Sequence, residues 1–216
     1  MEDFSPDTDI DTGTRAPRPA RTADLGALIG SRICHDLNNP LGAIGNGIEL
    51  MELAGHKPGP ELALIAESVA HATARLQYLR LAFGAASPGQ AVAGPEVAAI
   101  VAAHFRNGRI TLDWPPLPAL ERAEAKLALL ALMCLESALP FGGYIAATWD
   151  DSGWRFAARG ERLRELGPLW DSVTGGPAAP GIGAPHVQFL LLPEAARALG
   201  RPVALTRAEG RLDLAV

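Results

Sequence analysis

The sequence predicts two structural parts: a pair of long helices that forms a four-helix bundle with a second copy of the chain, and an α/β sandwich of helices over a mainly antiparallel sheet. Two helical segments separated by a turn rich in glycine and proline indicate the hairpin. The remainder mixes helical periodicity with strand-like alternation, which is typical of helices packed on a sheet. The expected boundaries are 1–21 for a disordered tail, 22–86 for the hairpin and 91–216 for the sandwich.

The first predicted helix begins near Thr22 or Asp24, ends at about Leu53 and has two contrasting faces. At 100° per residue its apolar side chains fall in one narrow arc, as in a helix that faces a core. These side chains are Ile33, Leu37, Leu41, Ile44, Ile48 and Met51. His35 lies on the opposite face, among amides, a cation and small residues. The pattern therefore predicts an imidazole that points to solvent.

Backbone signals indicate that the His35 face is used. Pro40 lies five residues after His35, and a proline inside a helix removes one hydrogen bond and kinks the axis. Gly42, Gly45 and Gly47 follow, and each costs about 1 kcal/mol relative to alanine in a helix interior. A surface that tolerates these costs is expected to let another backbone come close.

The second predicted helix extends from about Pro60 to Gly84 and carries an unbroken seven-residue repeat. Its apolar positions are Leu62, Ile65, Val69, Ala72, Leu76, Leu79 and Phe83. Two helices alone cannot cover such a stripe on both sides, whereas a second hairpin completes a four-helix bundle. We therefore predict a homodimer, built through residues 22–86, that carries two outward histidines.

The residues around His35 carry a resemblance to a known family. Residues 35–41, His-Asp-Leu-Asn-Asn-Pro-Leu, resemble the phosphoacceptor box of bacterial histidine kinases, and the longer run 31–50 is similar to the ChpT histidine phosphotransferases. The resemblance is strong over about residues 22–86. It implies that His35 relays a phosphoryl group between the receiver domain of a hybrid histidine kinase and downstream response regulators. It also implies a homodimer, and a partner receiver that supplies Mg²⁺, so no cofactor or metal ligand is expected in this chain.

Side chains near His35 are the candidates for the transfer chemistry. Asp36 would fix the ring tautomer and support the imidazolium if it reaches the ring. Arg32 and Asn39 lie three residues before and four after His35, where helical neighbours meet, and would act on the phosphoryl charge and the ring. The alternative for each of the three is a polar residue that only faces water. The expected partner-binding residues are Leu28, Ser31, Asn38, Gly42, Ala43, Asn46 and His71.

The second part resembles the ATP-binding domain of histidine kinases in the order of its elements but lacks the matching motifs. Its long predicted helix, 119–139, contains no asparagine, and the nearest match to Asp-x-Gly-x-Gly, 151–153, lacks the second glycine. The glycine-rich run 175–183 is interrupted by prolines, which have no N–H to offer a phosphate. We therefore expect no ATP binding. A divergent ATP-dependent kinase and a non-catalytic scaffold that binds receivers remain the alternatives.

The other elements expected in this part follow from periodicity and turn residues. They are helices over 94–107 and 185–200 and strands over 109–114, 143–149, 154–158, 203–206 and 211–216. The apolar residues of the long helix are interpreted as core packing: Leu127, Leu130, Leu132, Met133 and Leu135.

Composition limits the partners and the compartment. The formal net charge of −5 provides no basic field for nucleic acid, and the longest apolar run, 127–135, is too short to span a bilayer. The acidic N-terminus lacks the pattern of a signal peptide. Cys34 and Cys134, without a CxxC motif, suggest reduced thiols. We expect a cytoplasmic protein that binds neither nucleic acid nor a membrane.

Overall fold

A computed structural model describes residues 22–55 and 59–216, with side chains from residue 26 onward. The tail predicted over 1–21 lies outside the described residues. Two long helices come first, α1 (Thr22–Leu53) and α2 (Pro60–Phe83). A Cβ added to Gly30 would lie 3.8 Å from Phe83, and one added to Gly45 would lie 3.9 Å from Val69, so the two helices are antiparallel. The predicted hairpin is therefore present, and α1 continues through Pro40.

The rest of the chain forms a five-stranded sheet with helices packed against it. The elements are β1 (Ala91–Ala93), α3 (Gly94–Phe105), β2 (Ile110–Asp113), β3 (Ala119–Glu121), α4 (Arg122–Ala138), β4 (Gly143–Asp150), β5 (Gly153–Arg159), α5 (Gly167–Val173), α6 (Gln188–Ala198), β6 (Ala204–Ala208) and β7 (Arg211–Ala215). The sheet order is β2-β4-β5-β7-β6, in which β2 and β4 are parallel and the other pairs antiparallel. β1 and β3 form a separate antiparallel pair. The predicted α/β sandwich with a mainly antiparallel sheet is confirmed.

Helix α4 is the centre of the core because it is apolar on nearly all sides. Leu127, Leu130, Leu132 and Leu135 are fully buried and Met133 is 8% exposed, which confirms their predicted packing role. Helix α2 packs on the same core through Tyr78, which is fully buried and donates a hydrogen bond from its hydroxyl to the carbonyl oxygen of Leu129 (3.0 Å). The helical hairpin is thus fastened to the sandwich.

Two predicted helix starts differ from the structure, and one helix was not predicted. The helix expected over 119–139 begins only at Arg122, because Ala119–Glu121 pairs with β1. The helix expected over 185–200 begins at Gln188, after a separate 3₁₀ turn over Ala184–His186. The seven-residue helix Gly167–Val173 was not predicted, since it is too short to show a helical repeat.

The apolar stripe of α1 is only partly covered within one chain. Ile48 is buried, but Ile33 and Leu37 remain 53% and 49% exposed. On α2, Ile65 is 48% exposed. The hairpin therefore leaves large aliphatic side chains unburied. Within the described part of the chain, no helix is both long enough and apolar enough to cross a membrane.

Candidate functional site

His35 lies on the outer surface of α1, whereas the preceding residue, Cys34, is buried. Cys34 is 7% exposed, and a turn of 100° per residue directs the next side chain away from α2. The His35 side chain is 70% exposed. This agrees with the predicted orientation and leaves the imidazole accessible to another protein.

Asp36 connects His35 to Arg32. The ring nitrogen Nδ1 of His35 lies 3.1 Å from Asp36 Oδ1, and Arg32 Nε donates to Asp36 Oδ2 at 2.8 Å. The hydrogen bond with His35, followed by that with Arg32, holds the pKa of the Asp36 carboxyl below its ordinary value. The contact between His35 and Asp36 was left open by sequence spacing. Arg32, expected to act on phosphate, instead pairs with Asp36.

This arrangement selects one tautomer of the neutral imidazole. An ionised carboxylate only accepts hydrogen bonds, so Nδ1 of His35 must carry the proton that Asp36 receives. Nε2 then retains its lone pair and has no proton. Because the side chain is largely exposed, this nitrogen can react as a nucleophile with an electrophile brought from outside.

The residues predicted to bind a partner share an open surface along α1. Leu28, Asn38, Asn39, Gly42, Ala43 and Asn46 are exposed, and Ser31 is half-buried. A Cβ added to Gly42 would meet nothing within 4 Å, so another molecule can approach this part of the helix closely. His71 is exposed on α2, two residues beyond Val69, which faces Gly45. It therefore lies about two helical turns from the level of His35.

Two arginines near the C-terminal end of α2 were not identified as candidate site residues from the sequence. The antiparallel register places Arg80 opposite Cys34, and the Arg80 charge lowers the pKa of that thiol against a larger increase caused by burial. Arg122, the first residue of α4, donates from Nη2 to the carbonyl oxygen of Arg80 (3.3 Å). Counting opposed positions outward from the turn at 54–60 would have placed Arg80 opposite Cys34, next to His35 in the sequence. No sequence signal connected Arg122 to the hairpin.

The segments that resembled nucleotide motifs make contacts of their own. Residues 151 and 152 form the turn between β4 and β5, and Gly153 is the first residue of β5. Ser152 and then Arg155 hydrogen-bond Asp150 and lower its pKa to about 2. In the glycine-rich run, the N–H of Gly176 donates to the Asp171 carbonyl and that of Ala179 to the Ser172 hydroxyl, both at 2.8 Å. These two amides are not directed at a ligand.

Glu136, a carboxylate of α4, contacts basic side chains. Its carboxylate lies 3.4 Å from His104 Nε2 and 3.8 Å from Arg75 Nη1. Among residues 22–55 and 59–216, no three His, Cys, Asp or Glu side chains are grouped so that they could hold a metal ion. The second part thus contributes packing and charge pairs at this position.

Comparison with known proteins identifies relatives across nearly the whole chain. The family described as "Histidine phosphotransferase C-terminal domain" matches residues 94–211. The protein phosphotransferase ChpT of Brucella abortus (strain 2308) is 37% identical over 182 residues, which are 80% of this chain and 87% of that protein. A bacterial phosphotransferase of known structure superposes with a TM-score of 0.63 and 29% identity, over 92% of this chain and 98% of that one. These matches include both the helical hairpin and the sandwich.

Proposed function

Because this chain belongs to the histidine phosphotransferase family and acts in a phosphorelay, we propose that His35 is the residue that carries the phosphoryl group. The donor is the aspartyl phosphate of a receiver domain in a hybrid histidine kinase, and the acceptor is the receiver aspartate of a response regulator. One observation carries the proposal: an exposed imidazole whose Nδ1 lies 3.1 Å from the Asp36 carboxylate, which leaves Nε2 as the nitrogen without a proton.

The proposed reaction is an in-line displacement at phosphorus. The lone pair of His35 Nε2 forms the N–P bond while the P–O bond to the receiver aspartate breaks, and the aspartate leaves as a carboxylate. The ring becomes a phosphorylated imidazolium, whose Nδ1 proton is held by Asp36. The reverse displacement by another aspartate returns the ring to its neutral form. Such transfer depends mainly on positioning and on stabilising the charge of the phosphoryl oxygens.

Side chains next to His35 have different roles in this proposal. Arg32 lies 2.8 Å from Asp36 and keeps that carboxylate ionised and directed at Nδ1, so it acts on the ring through Asp36. Asn39 is exposed one helical turn after His35 and can donate to the phosphoryl oxygens. No metal ligand is required from this chain, because Mg²⁺ enters with the acidic pocket of the receiver domain.

The receiver domain is proposed to dock along the open surface of α1. Leu28 is 60% exposed and offers an apolar contact, while Gly42 presents bare backbone. Asn38, Ala43 and Asn46 complete a surface of small and amide side chains. A helix of the receiver laid along such a face would bury apolar area while its active site meets His35. His71, which is exposed on α2, completes the proposed set of partner contacts.

The homodimer is part of the proposal because it covers the exposed stripe of α1. Ile33, Leu37 and Ile44 are each about half exposed in the single chain, as is Ile65 of α2. Pairing two hairpins buries these side chains in a four-helix core and leaves both histidines outside, since they lie on the opposite face of α1.

The test compares two phosphoryl sources. Wild-type protein mixed with a ³²P-labelled receiver domain should take up label, and His35→Ala should take up none. The matched control His186→Ala, in the 3₁₀ turn before α6 and outside the proposed site, should transfer at a rate close to wild type. Incubation with labelled ATP alone should leave the protein unlabelled. Autophosphorylation from ATP would favour a divergent kinase, and tight receiver binding without label uptake would favour a scaffold.

A further inference from the structure

A basic cluster lies where the second part of the molecule meets the phosphoacceptor helix. Arg80 of α2 stands opposite Cys34, the residue before His35. Arg122 of α4 lies next to Arg80. Its Nη2 donates a hydrogen bond to the carbonyl oxygen of Arg80, and its Nε donates one to the carbonyl oxygen of Ala85 (2.7 Å). The cluster is notable because the whole chain carries a net charge of −5.

Gly84 allows the cluster to approach α1. A Cβ at this buried glycine would lie 2.7 Å from Arg122 Nη2 and 3.5 Å from Ser31 Oγ. These two atoms therefore border the same point, and Ser31 precedes His35 by one turn on the same side of α1. A guanidinium from the sandwich is thus held one turn from the phosphoacceptor.

The two arginines differ in whether their guanidinium groups have hydrogen-bond partners within the chain. Arg122 is half-buried and bonded to the carbonyl oxygens at the end of α2, a position where a cation also offsets the helix dipole. Arg80 is exposed, and its guanidinium has no ion pair or hydrogen bond to any residue that the structure describes. The positive charge available to a partner is therefore that of Arg80.

The surroundings of Arg80 are polar and concave. A cavity of about 230 Å³ is lined by Arg80, Arg122, Gln77, Gln90 and the carboxylate-bearing Glu96. The pKa of Arg122 is lowered by burial and by the nearby Arg80 charge, while Glu96 opposes this shift. One carboxylate thus accompanies two guanidinium groups in the lining, so the cavity wall retains net positive charge.

We propose that Arg80 is a further residue of the transfer site, where its guanidinium meets the anionic phosphorylation pocket of the docked receiver domain while Arg122 positions it. A guanidinium binds phosphoryl or carboxylate oxygens through paired N–H donors, and complementary charge speeds the encounter of two proteins. This inference rests on the proposed function of His35 and assigns the second part of the molecule a role in transfer. Arg80 acts as an electrostatic anchor and forms no bond to phosphorus.

The experiment uses the full chain and two phosphoryl donors, a ³²P-labelled receiver domain and potassium phosphoramidate, a small molecule that needs no docking. Arg80→Gln should slow transfer from the receiver about tenfold, which corresponds to about 1.4 kcal/mol, and should weaken its dependence on salt. Labelling of His35 by phosphoramidate should stay within twofold of wild type. Arg80→Lys, which keeps the charge, should recover most of the receiver reaction.

Arg197→Gln is the matched control, because it removes one exposed arginine on α6 and changes the net charge equally. It should leave both reactions unchanged. Receiver transfer by Arg80→Gln within twofold of wild type would overturn the inference, and so would an equal loss with phosphoramidate, since Arg80 would then support His35 itself. His35→Ala separates a failure of the proposed function from a failure of the Arg80 inference. Label retained in that variant contradicts the proposed function, regardless of the result for the Arg80 variants.

Discussion

In the proposed transfer site, one neighbouring carboxylate selects the tautomer of His35 that leaves Nε2 without a proton. Asp36 lies one position further along α1, where helical geometry directs a side chain about 100° away. Arg32 closes the gap, because its guanidinium holds one carboxylate oxygen at 2.8 Å while the other oxygen reaches His35 Nδ1 at 3.1 Å. Hydrogen bonds that connect Arg32, Asp36 and His35 therefore leave Nε2 as the nitrogen proposed to react.

Replacement of Asp36 by asparagine tests this chain. The amide oxygen of the new side chain could still accept a hydrogen bond from Nδ1, but it lacks the charge that stabilises the phosphorylated imidazolium. Because hydrogen bonds to charged groups contribute about 1.5–3 kcal/mol, Asp36→Asn should slow transfer roughly tenfold to a hundredfold. Single-turnover transfer from a labelled receiver measures the rate. Glu49→Gln, an exposed change elsewhere on α1, should have no effect, and a rate for Asp36→Asn equal to wild type would remove Asp36 from the mechanism.

The lowered pKa of Glu136 predicts how the free energy of unfolding depends on pH. Burial would raise its pKa, but the hydrogen bond with His104 and the charges of His104 and Arg75 outweigh burial and lower it below the usual 4.5. A carboxyl with a lowered folded pKa contributes stability above its unfolded pKa and loses it as pH falls through the folded value. The free energy of unfolding should therefore decrease below about pH 4.5, and less steeply in Glu136→Gln.

Urea unfolding at a series of acidic pH values measures this slope. The groups that face Glu136 are His104 of α3 and Arg75 of α2, and the His104 ring stacks on Tyr78 at 4.1 Å. Glu209→Gln, in the exposed turn between β6 and β7, should retain the wild-type slope. Equal slopes for Glu136→Gln and wild type would show that the carboxyl has the same pKa in both states.

At the scale of the element, α1 combines poor helix formers with an open surface. Gly42 lies within about 20° of His35 around the helix, and Gly47 lies about 120° away. A Cβ at either glycine meets nothing within 4 Å in the single chain. The glycine at 42 therefore has no packing reason inside this chain, which supports the proposal that another molecule approaches there.

Gly42→Ala should separate stability from function. In an exposed helix the change should stabilise by about 1 kcal/mol and raise the melting temperature. The same methyl group should obstruct the receiver and slow transfer about tenfold, as overpacking of a close contact does. Calorimetry and the transfer assay provide the two readouts. Gly47→Ala should stabilise without slowing transfer, and a fast Gly42→Ala variant would exclude close approach at this position.

Periodicity and turn residues predicted most elements, and pairing with a distant segment explains why the start of α4 was misplaced. The turn between α1 and α2 and the hairpin of β4 and β5 are marked by glycine, proline and aspartate, so both were predicted. The start of α4 was misplaced because Ala119–Glu121 has helix-forming residues but pairs with β1, which lies far earlier in the chain, before α3. Such a tertiary contact overrides local propensity and leaves no local signal.

Part of the candidate site could also be predicted from the sequence, and part of it could not. The exposed orientation of His35 follows from spacing alone. The hydrogen bond with Asp36 depends on rotamers, and the approach of Arg122 depends on how α4 packs against the end of α2, so neither is encoded in a periodic pattern.

At the scale of the whole molecule, the exposed aliphatic side chains of α1 predict the oligomeric state. Leu37→Glu would place a charge in the proposed four-helix core, where burying it without a partner is strongly unfavourable. Light scattering after gel filtration should give twice the chain mass of 22.6 kDa for wild type and 22.6 kDa for the variant. Leu50→Glu, on another side of α1, should remain dimeric. A monomeric wild type would contradict the bundle.

We propose that phosphate from a receiver domain bonds to Nε2 of His35. The most direct measurement is phosphorus NMR, with peptide mapping under alkaline conditions, on protein phosphorylated by a receiver. We expect a single phosphoramidate, on Nε2 of His35, that is absent from His35→Ala. Phosphate on Nδ1, on another residue or retained by the alanine variant would contradict it.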